Sequence, residues 1–212
     1  LLDAHPNINI PLESRFIIHL YFKYAKKTTW TKKEKQSFLD DLFKERMIST
    51  FWEIDKQQLK IDILNTEGNV SFFELCRIIT ANYISFFPKE AIKVQGNKNP
   101  PFGLWCDILY QLYSQSKFIH LVRNPLDFIS SHKKMGDKNL VYFAYRWRLM
   151  NTKIEKLKSE TPSSFITIKY ENLISNPEDT LKKICYFLNI NYTPKMLVFN
   201  EVLKLQFSKL DP

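Results

Sequence analysis

Arg123 and Ser131 flank a point where the periodicity of the chain changes from strand to helix. Phe118-Ile-His-Leu-Val122 is a run of β-favouring residues and reads as a strand covered on both faces. Asn124 is a good N-cap, Pro125 suits the first helical position, and Asp127 sets a carboxylate near the positive end of the helix dipole. Arg123 therefore ends a strand beside a helix N-terminus, where a guanidinium and unsatisfied amides together can bind a phosphate. In open α/β sheets the carboxyl ends of the strands are where ligands gather. Ser131 returns to the helix face of Asn124 about 10 Å further along the axis, so only an arginine folded along the helix could share one phosphate with it. The plainer alternative is an arginine that caps carbonyls or pairs with Asp127, with Ser131 as a surface residue.

Other groups also stand where strands end. Glu13 follows the short strand Ile8-Asn-Ile10, which Pro11 closes, and precedes a helix read over 14–26. It is either a helix-start carboxylate stabilised by the dipole or a group projecting into the crevice at the carboxyl edge of the sheet. Lys98 lies in the turn Gly96-Asn-Lys-Asn-Pro100 after a strand at 92–95, as a solvated lysine or as a cation aimed at that crevice. Tyr170 closes a fourth strand at 164–170, with its ring and hydroxyl available to a ligand or satisfied in the core. His5, His19, His120 and His132 show no metal spacing and read as structural, so no metal is expected.

Stepping along the chain, strands alternate with helices, which indicates an α/β fold with a mostly parallel sheet flanked by helices. Thr31 with Glu34 forms a capping-box pattern, 55–65 reads as a short helix, and Ser71 caps a long apolar helix through Phe86 that Pro88 ends. This helical block, 31–88, carries no obvious chemistry and reads as an insertion. Further helices are expected over 101–115, 125–135 and 139–158, and Asn176-Pro177 caps another that ends near Leu188.

The 212 residues fit one domain, 1–212, and a 44% hydrophobic, 15% aromatic composition is ample for a packed core. Four glycines exclude a glycine-rich phosphate loop, a nucleophile elbow or a dinucleotide fingerprint within these residues. A net charge of +9 suits an anionic ligand, although much of it is lysine on helix faces. The aromatics follow core periodicity, which speaks against a nucleic-acid-binding surface. Cys76, Cys106 and Cys185 sit in apolar helical runs and read as buried thiols of a reducing compartment. No stretch reaches the roughly 20 apolar residues of a membrane span. A Lys-, Asn- and Ile-rich composition points to an AT-rich bacterial genome and a cytoplasmic protein; a eukaryotic source would place it in the Golgi lumen.

Four segments, in order, resemble the P-loop-like sulfotransferase family that uses 3′-phosphoadenosine 5′-phosphosulfate, above all its tyrosylprotein-type and bacterial members. These are Leu1-Leu-Asp-Ala-His-Pro-Asn7 through Glu13-Ser-Arg15, Gly96-Asn-Lys-Asn-Pro100, the Arg123 to Ser131 spacing, and Lys169-Tyr-Glu-Asn-Leu173 with Asn176-Pro-Glu178. The resemblance implies a P-loop-like three-layer α/β fold. It makes Glu13 the general base and Lys98 the cation against the transferring group, and it has Arg123 and Ser131 hold the 3′-phosphate. Tyr170 would contact the nucleotide, and Ser208-Lys209 would close over it. Arg15 would pair with Glu13 or meet the acceptor, and the block 31–88 would wall an acceptor pocket. Sulfuryl transfer needs such a set: a base for the hydroxyl, cations for the leaving oxygens, and fixed in-line geometry.

The chain departs from the family pattern in two ways. The phosphosulfate loop belongs just before Leu1 and a further helix after Leu210, so the sequence reads as truncated at both ends. The family's arginine after the serine is replaced by Lys133 and Lys134, neither in register. The expected acceptor is a hydroxyl of a small molecule, carbohydrate, lipid or peptide. The rival readings are a catalytically inactive relative that binds nucleotide or sulfated glycan, and a P-loop kinase or basic nucleic-acid module.

Overall fold

Among the described residues, two pairs of parallel strands organise the chain, one in each of two compact units. The computed structural model describes residues 1–199. One unit comprises Leu1–Asn99 with the segment from Lys195, and the other Pro100–Pro194.

In the first unit, β1 (Ile8–Asn9) pairs in parallel with β2 (Val94–Gln95), Ile8 opposite Val94 and Asn9 opposite Gln95. Between them in sequence run α1 (Phe16–Tyr24), α2 (Lys32–Leu42), α3 (Lys56–Leu64) and α4 (Phe72–Ala81). Their starts follow the sequence signals. Thr31 and Ser71 each form a complete capping box, with Glu34 and Glu74, and the Asp55 carboxylate accepts from the amides of Gln57 and Gln58. The helices bury a shared core of Phe16, Leu20, Phe38, Leu39, Leu42, Leu59, Ile63, Phe72, Leu75 and Ile79. Aromatic edges tie it together: Phe38 lies 5.2 Å from Tyr24 and 6.3 Å from Phe72 between ring centroids.

The helix opened by Ser71 was expected to reach Pro88, and it stops at Ala81. Asn82 caps it with its amide nitrogen on the Ile78 carbonyl and the Asp62 carboxylate, and buried Tyr83 pairs as an antiparallel bridge with Ile54. A tertiary backbone pairing thus wins over helix periodicity.

In the second unit, β3 (Phe118–Val122) runs parallel to β4 (Phe165–Lys169) through five registered pairs, from Phe118 opposite Phe165 to Val122 opposite Lys169. The expected helix over 101–115 is a 3-10 segment, Pro100–Trp105, followed by α5 (Cys106–Leu112). Gly103 is pressed on a neighbour there, since a Cβ would come within 2.9 Å of the Met150 side chain. Then come α6 (Pro125–Lys134), α7 (Leu140–Glu160), α8 (Tyr170–Ser175) and α9 (Pro177–Phe187). Gly136 ends α6 at φ +85°, its amide on the Lys133 carbonyl and that of Asp137 on His132. Cys106, Ile154 and Phe165 form a core flanked by Tyr110, Phe118 and Leu157.

Three details of this unit differ from the sequence reading. β3 is not covered on both faces, because Leu121 is half exposed. Tyr170 opens a helix instead of closing a strand, so the chain turns at Lys169. The Asn176 side chain bonds Ser175 and leaves the start of α9 to Pro177 and to the first-turn carboxylates of Glu178 and Asp179.

Candidate active site

Parallel pairing of β1 and β2 makes two segments leave the strand ends side by side, and the side chains they carry meet. Glu13 follows β1, Lys98 follows β2, and the Lys98 ammonium donates directly to the Glu13 carboxylate. Glu13 lies two residues before the Arg15 N-cap of α1, so it is not a first-turn carboxylate. Its partner is Lys98, not Arg15. Both side chains retain solvent access, at 43% for Glu13 and 62% for Lys98. A surface pair of this kind adds little to stability, so its geometry is more informative than its energy.

The backbone around the pair is fixed from several directions. The Gly96 amide donates to the Asn9 carbonyl at 2.9 Å, and a side chain at Gly96 would press Ile10 at 3.0 Å. Glycine there lets the two segments approach. Trp52 donates its indole N–H to the Leu12 carbonyl at 3.0 Å, with its ring edge-on to Phe16 at 5.9 Å. The block 31–88 thus supplies a support for the segment carrying Glu13, which sequence reasoning missed. A tryptophan inside an otherwise amphipathic block was the one available signal. Burial pushes the Lys89 ammonium below its ordinary pKa, and Lys89 bonds the Asp3 carboxylate at 3.0 Å and the carbonyls of Asp3, His5 and Ile8. That cluster fastens the turn before β1. A cleft of about 270 Å³ lined by Phe16, His19, Leu20, Lys23, Asp41, Lys44 and Glu45 includes neither Glu13 nor Lys98.

In the second unit the register of β3 and β4, continued by two residues, sets Arg123 beside Tyr170 and Asn124 beside Glu171. The Arg123 guanidinium lies over the Tyr170 ring, 5.1 Å from its centroid. Asn124 caps α6 as expected, accepting from the Leu126 amide at 2.9 Å, with Pro125 and Asp127 in the first turn. The Arg123 carbonyl accepts from Trp147 Nε1 at 3.1 Å, and the Asn124 amide donates to Glu171 Oε1 at 2.8 Å. That amide, with the charges of Arg123 and Lys169 adding, holds the Glu171 carboxyl below the usual carboxylate range. Ser131 is half-buried in the second turn of α6, further along the helix from Arg123. Arg123 and Tyr170 are thus brought together, and Ser131 stands along the helix from them. Ser208 and Lys209 lie outside the described residues.

The profile of one family, described as the Sulfotransferase family, matches residues 1–194. The chain belongs to the Sulfotransferase family. The matched span takes in Glu13, Lys98, Arg123, Ser131 and Tyr170, and also the helical block 31–88. Among relatives, a Caenorhabditis briggsae protein provisionally named protein-tyrosine sulfotransferase is 29% identical over 140 residues, which is 57% of this chain and 48% of the relative. A Caenorhabditis elegans protein of the same name is 24% identical over 114 residues, 50% of this chain and 44% of that one. The chain spans about half the length of the curated relatives it matches.

Solved structures agree on the fold. The sulfotransferase domain from the Synechococcus PCC 7002 olefin synthase aligns with a TM-score of 0.60 at 20% identity, over 92% of this chain and 69% of that one. The sulfotransferase domain from the curacin biosynthetic pathway gives 0.58 at 21% identity, over 92% and 70%. The chain therefore has the α/β fold of these domains, as its alternation of strands and helices predicted.

Proposed function

We propose that the protein transfers a sulfuryl group from 3′-phosphoadenosine 5′-phosphosulfate to a hydroxyl acceptor by in-line displacement. The observation that carries this reading is the direct contact of Glu13 with Lys98 at the ends of two paired parallel strands, in a chain of the Sulfotransferase family. The acceptor oxygen attacks sulfur while the bond from sulfur to the oxygen of the 5′-phosphate breaks. The acceptor proton passes to Glu13, and 3′-phosphoadenosine 5′-phosphate departs. Charge that develops on the transferring group and leaving oxygen is met by Lys98.

The pairing supports these roles in a specific way. It holds the carboxylate that would take the acceptor proton in direct contact with the ammonium that would meet the leaving oxygen. In this reading Arg123 and Ser131 hold the 3′-phosphate, the Tyr170 ring backs the guanidinium and meets the nucleotide, and Ser208 and Lys209 close over it.

Because the relatives bear the name protein-tyrosine sulfotransferase, peptide tyrosine is an acceptor to try first, beside carbohydrate, lipid and small-molecule hydroxyls. Cytoplasmic residence belongs to the same proposal and rests on composition and the three buried thiols. The test is transfer of labelled sulfate from the donor to a panel of acceptors by the full-length protein. Nucleotide binding with no transfer to any class would favour an inactive binding relative instead.

A further inference from the structure

The peptide unit between Arg123 and Asn124 is held at both ends by side chains from different elements. Its carbonyl accepts from Trp147 Nε1 of α7 at 3.1 Å, and its amide donates to Glu171 Oε1 of α8 at 2.8 Å. The carbonyl and amide of one peptide are fixed in a common plane and point in opposite directions. Rotating that plane, through ψ of Arg123 and φ of Asn124, breaks one bond or the other. The start of α6 is anchored at the same place by the Asn124 side chain on the Leu126 amide.

Neither group is needed there by the local sequence. Asn124 already supplies the cap, and the first turn has its own carboxylate in Asp127. Glu171 is exposed, and its bond to Asn124 spans 47 residues. An exposed carboxylate on a single amide adds little to overall stability. Its effect is local, on the one backbone unit from which the Arg123 side chain departs toward the Tyr170 ring.

We infer that Glu171 and Trp147 are positioning residues for Arg123: by locking the Arg123–Asn124 peptide they aim the guanidinium. The geometric part stands on the two hydrogen bonds alone. Its consequence for ligand affinity rests on the proposed role of Arg123 at the 3′-phosphate.

The experiment has two arms on the full-length protein. In the first, ¹⁵N relaxation of the Arg123 Nε–H is measured without nucleotide. Glu171→Ala and Trp147→Phe lower its order, and Glu171→Gln keeps it, because an amide oxygen accepts the same Asn124 N–H. In the second arm, calorimetry reads affinity for 3′-phosphoadenosine 5′-phosphate. Glu171→Ala weakens it about tenfold, the scale of a hydrogen bond to a charged group, and adds nothing on an Arg123→Ala background. Unchanged Arg123 order in Glu171→Ala, or an equal affinity loss with and without Arg123, overturns the inference. If Glu171→Ala fails to fold, Trp147→Phe decides the same question. An Arg123→Ala protein with full affinity removes the phosphate assignment, while the relaxation arm still decides the positioning.

Discussion

Lys98 reaches the carboxylate of Glu13, 85 residues away in sequence, because the strands that precede them lie in parallel register. The pair links the proposed proton acceptor to the cation that would serve the leaving group, so the two should behave as a unit. Lys98→Ala is expected to lower turnover by about 10² to 10³, the usual cost of removing one charge-stabilising donor. Combined with Glu13→Gln, the loss should fall well short of the product of the single effects. Steady-state kinetics on the single and double variants check this, and strictly multiplicative losses would show two independent residues.

Arg123→Ala should weaken 3′-phosphoadenosine 5′-phosphate binding by about 1.5–3 kcal/mol, as for a charged hydrogen bond, and Ser131→Ala by about 1 kcal/mol. Calorimetry measures both. Because Ser131 stands along α6 from Arg123, a larger loss from Ser131 than from Arg123 would place the phosphate further along the helix than proposed.

Much of this was legible in the sequence, for local reasons. The capping signals at Thr31, Ser71 and Asn124 act within one helical turn, and they predicted where α2, α4 and α6 begin. Glu13, Lys98 and Arg123 could be named because motif order and strand ends are linear properties. The pairing of Glu13 with Lys98 could not, since sequence reasoning offered Arg15 as the nearer cation and only strand register selects Lys98. The same holds for the end of α4. Periodicity carried that helix on to Pro88, and the bridge between Ile54 and Tyr83, made across the fold, stopped it at Ala81. Trp52 is buried and Trp147 half-buried. Their functional contribution is one indole N–H each, whose target is set by tertiary packing.

Trp52→Phe keeps most of the ring packing against Phe16 and Tyr83 and removes the donor to the Leu12 carbonyl. A stability loss of about 1 kcal/mol is expected from the hydrogen bond. Turnover should fall with nucleotide affinity unchanged, since the segment that loosens carries Glu13 and not Arg123. Urea unfolding together with kinetics separates the two effects; a change in affinity without a change in turnover would contradict the assignment.

His120 gives a pH dependence with a definite sign. Burial pushes its pKa below the ordinary 6.5, against the opposing pull of Asn151 and Glu155, because the imidazolium is poorly solvated there. Its Nε2 lies 2.9 Å from Asn151 Oδ1, and Nδ1, 3.5 Å from Glu155, makes no hydrogen bond. The native state therefore binds fewer protons than the unfolded state just below pH 6.5. Its contribution to stability is full above that value and is lost as pH falls toward the native pKa, below which the dependence ends. Urea midpoints between pH 7.5 and 5.5 should drop more for the wild type than for His120→Gln, and equal slopes would exclude the assignment.

The most direct test of the account is sulfate transfer by full-length Glu13→Gln, measured beside its affinity for 3′-phosphoadenosine 5′-phosphate. The amide keeps the shape of the carboxylate and cannot accept the acceptor proton. Turnover should fall by about 10² to 10⁴, the usual worth of a general base, while nucleotide affinity stays within about twofold of wild type. Turnover within a few-fold of wild type would contradict the central claim, leaving Glu13 as no more than the surface partner of Lys98.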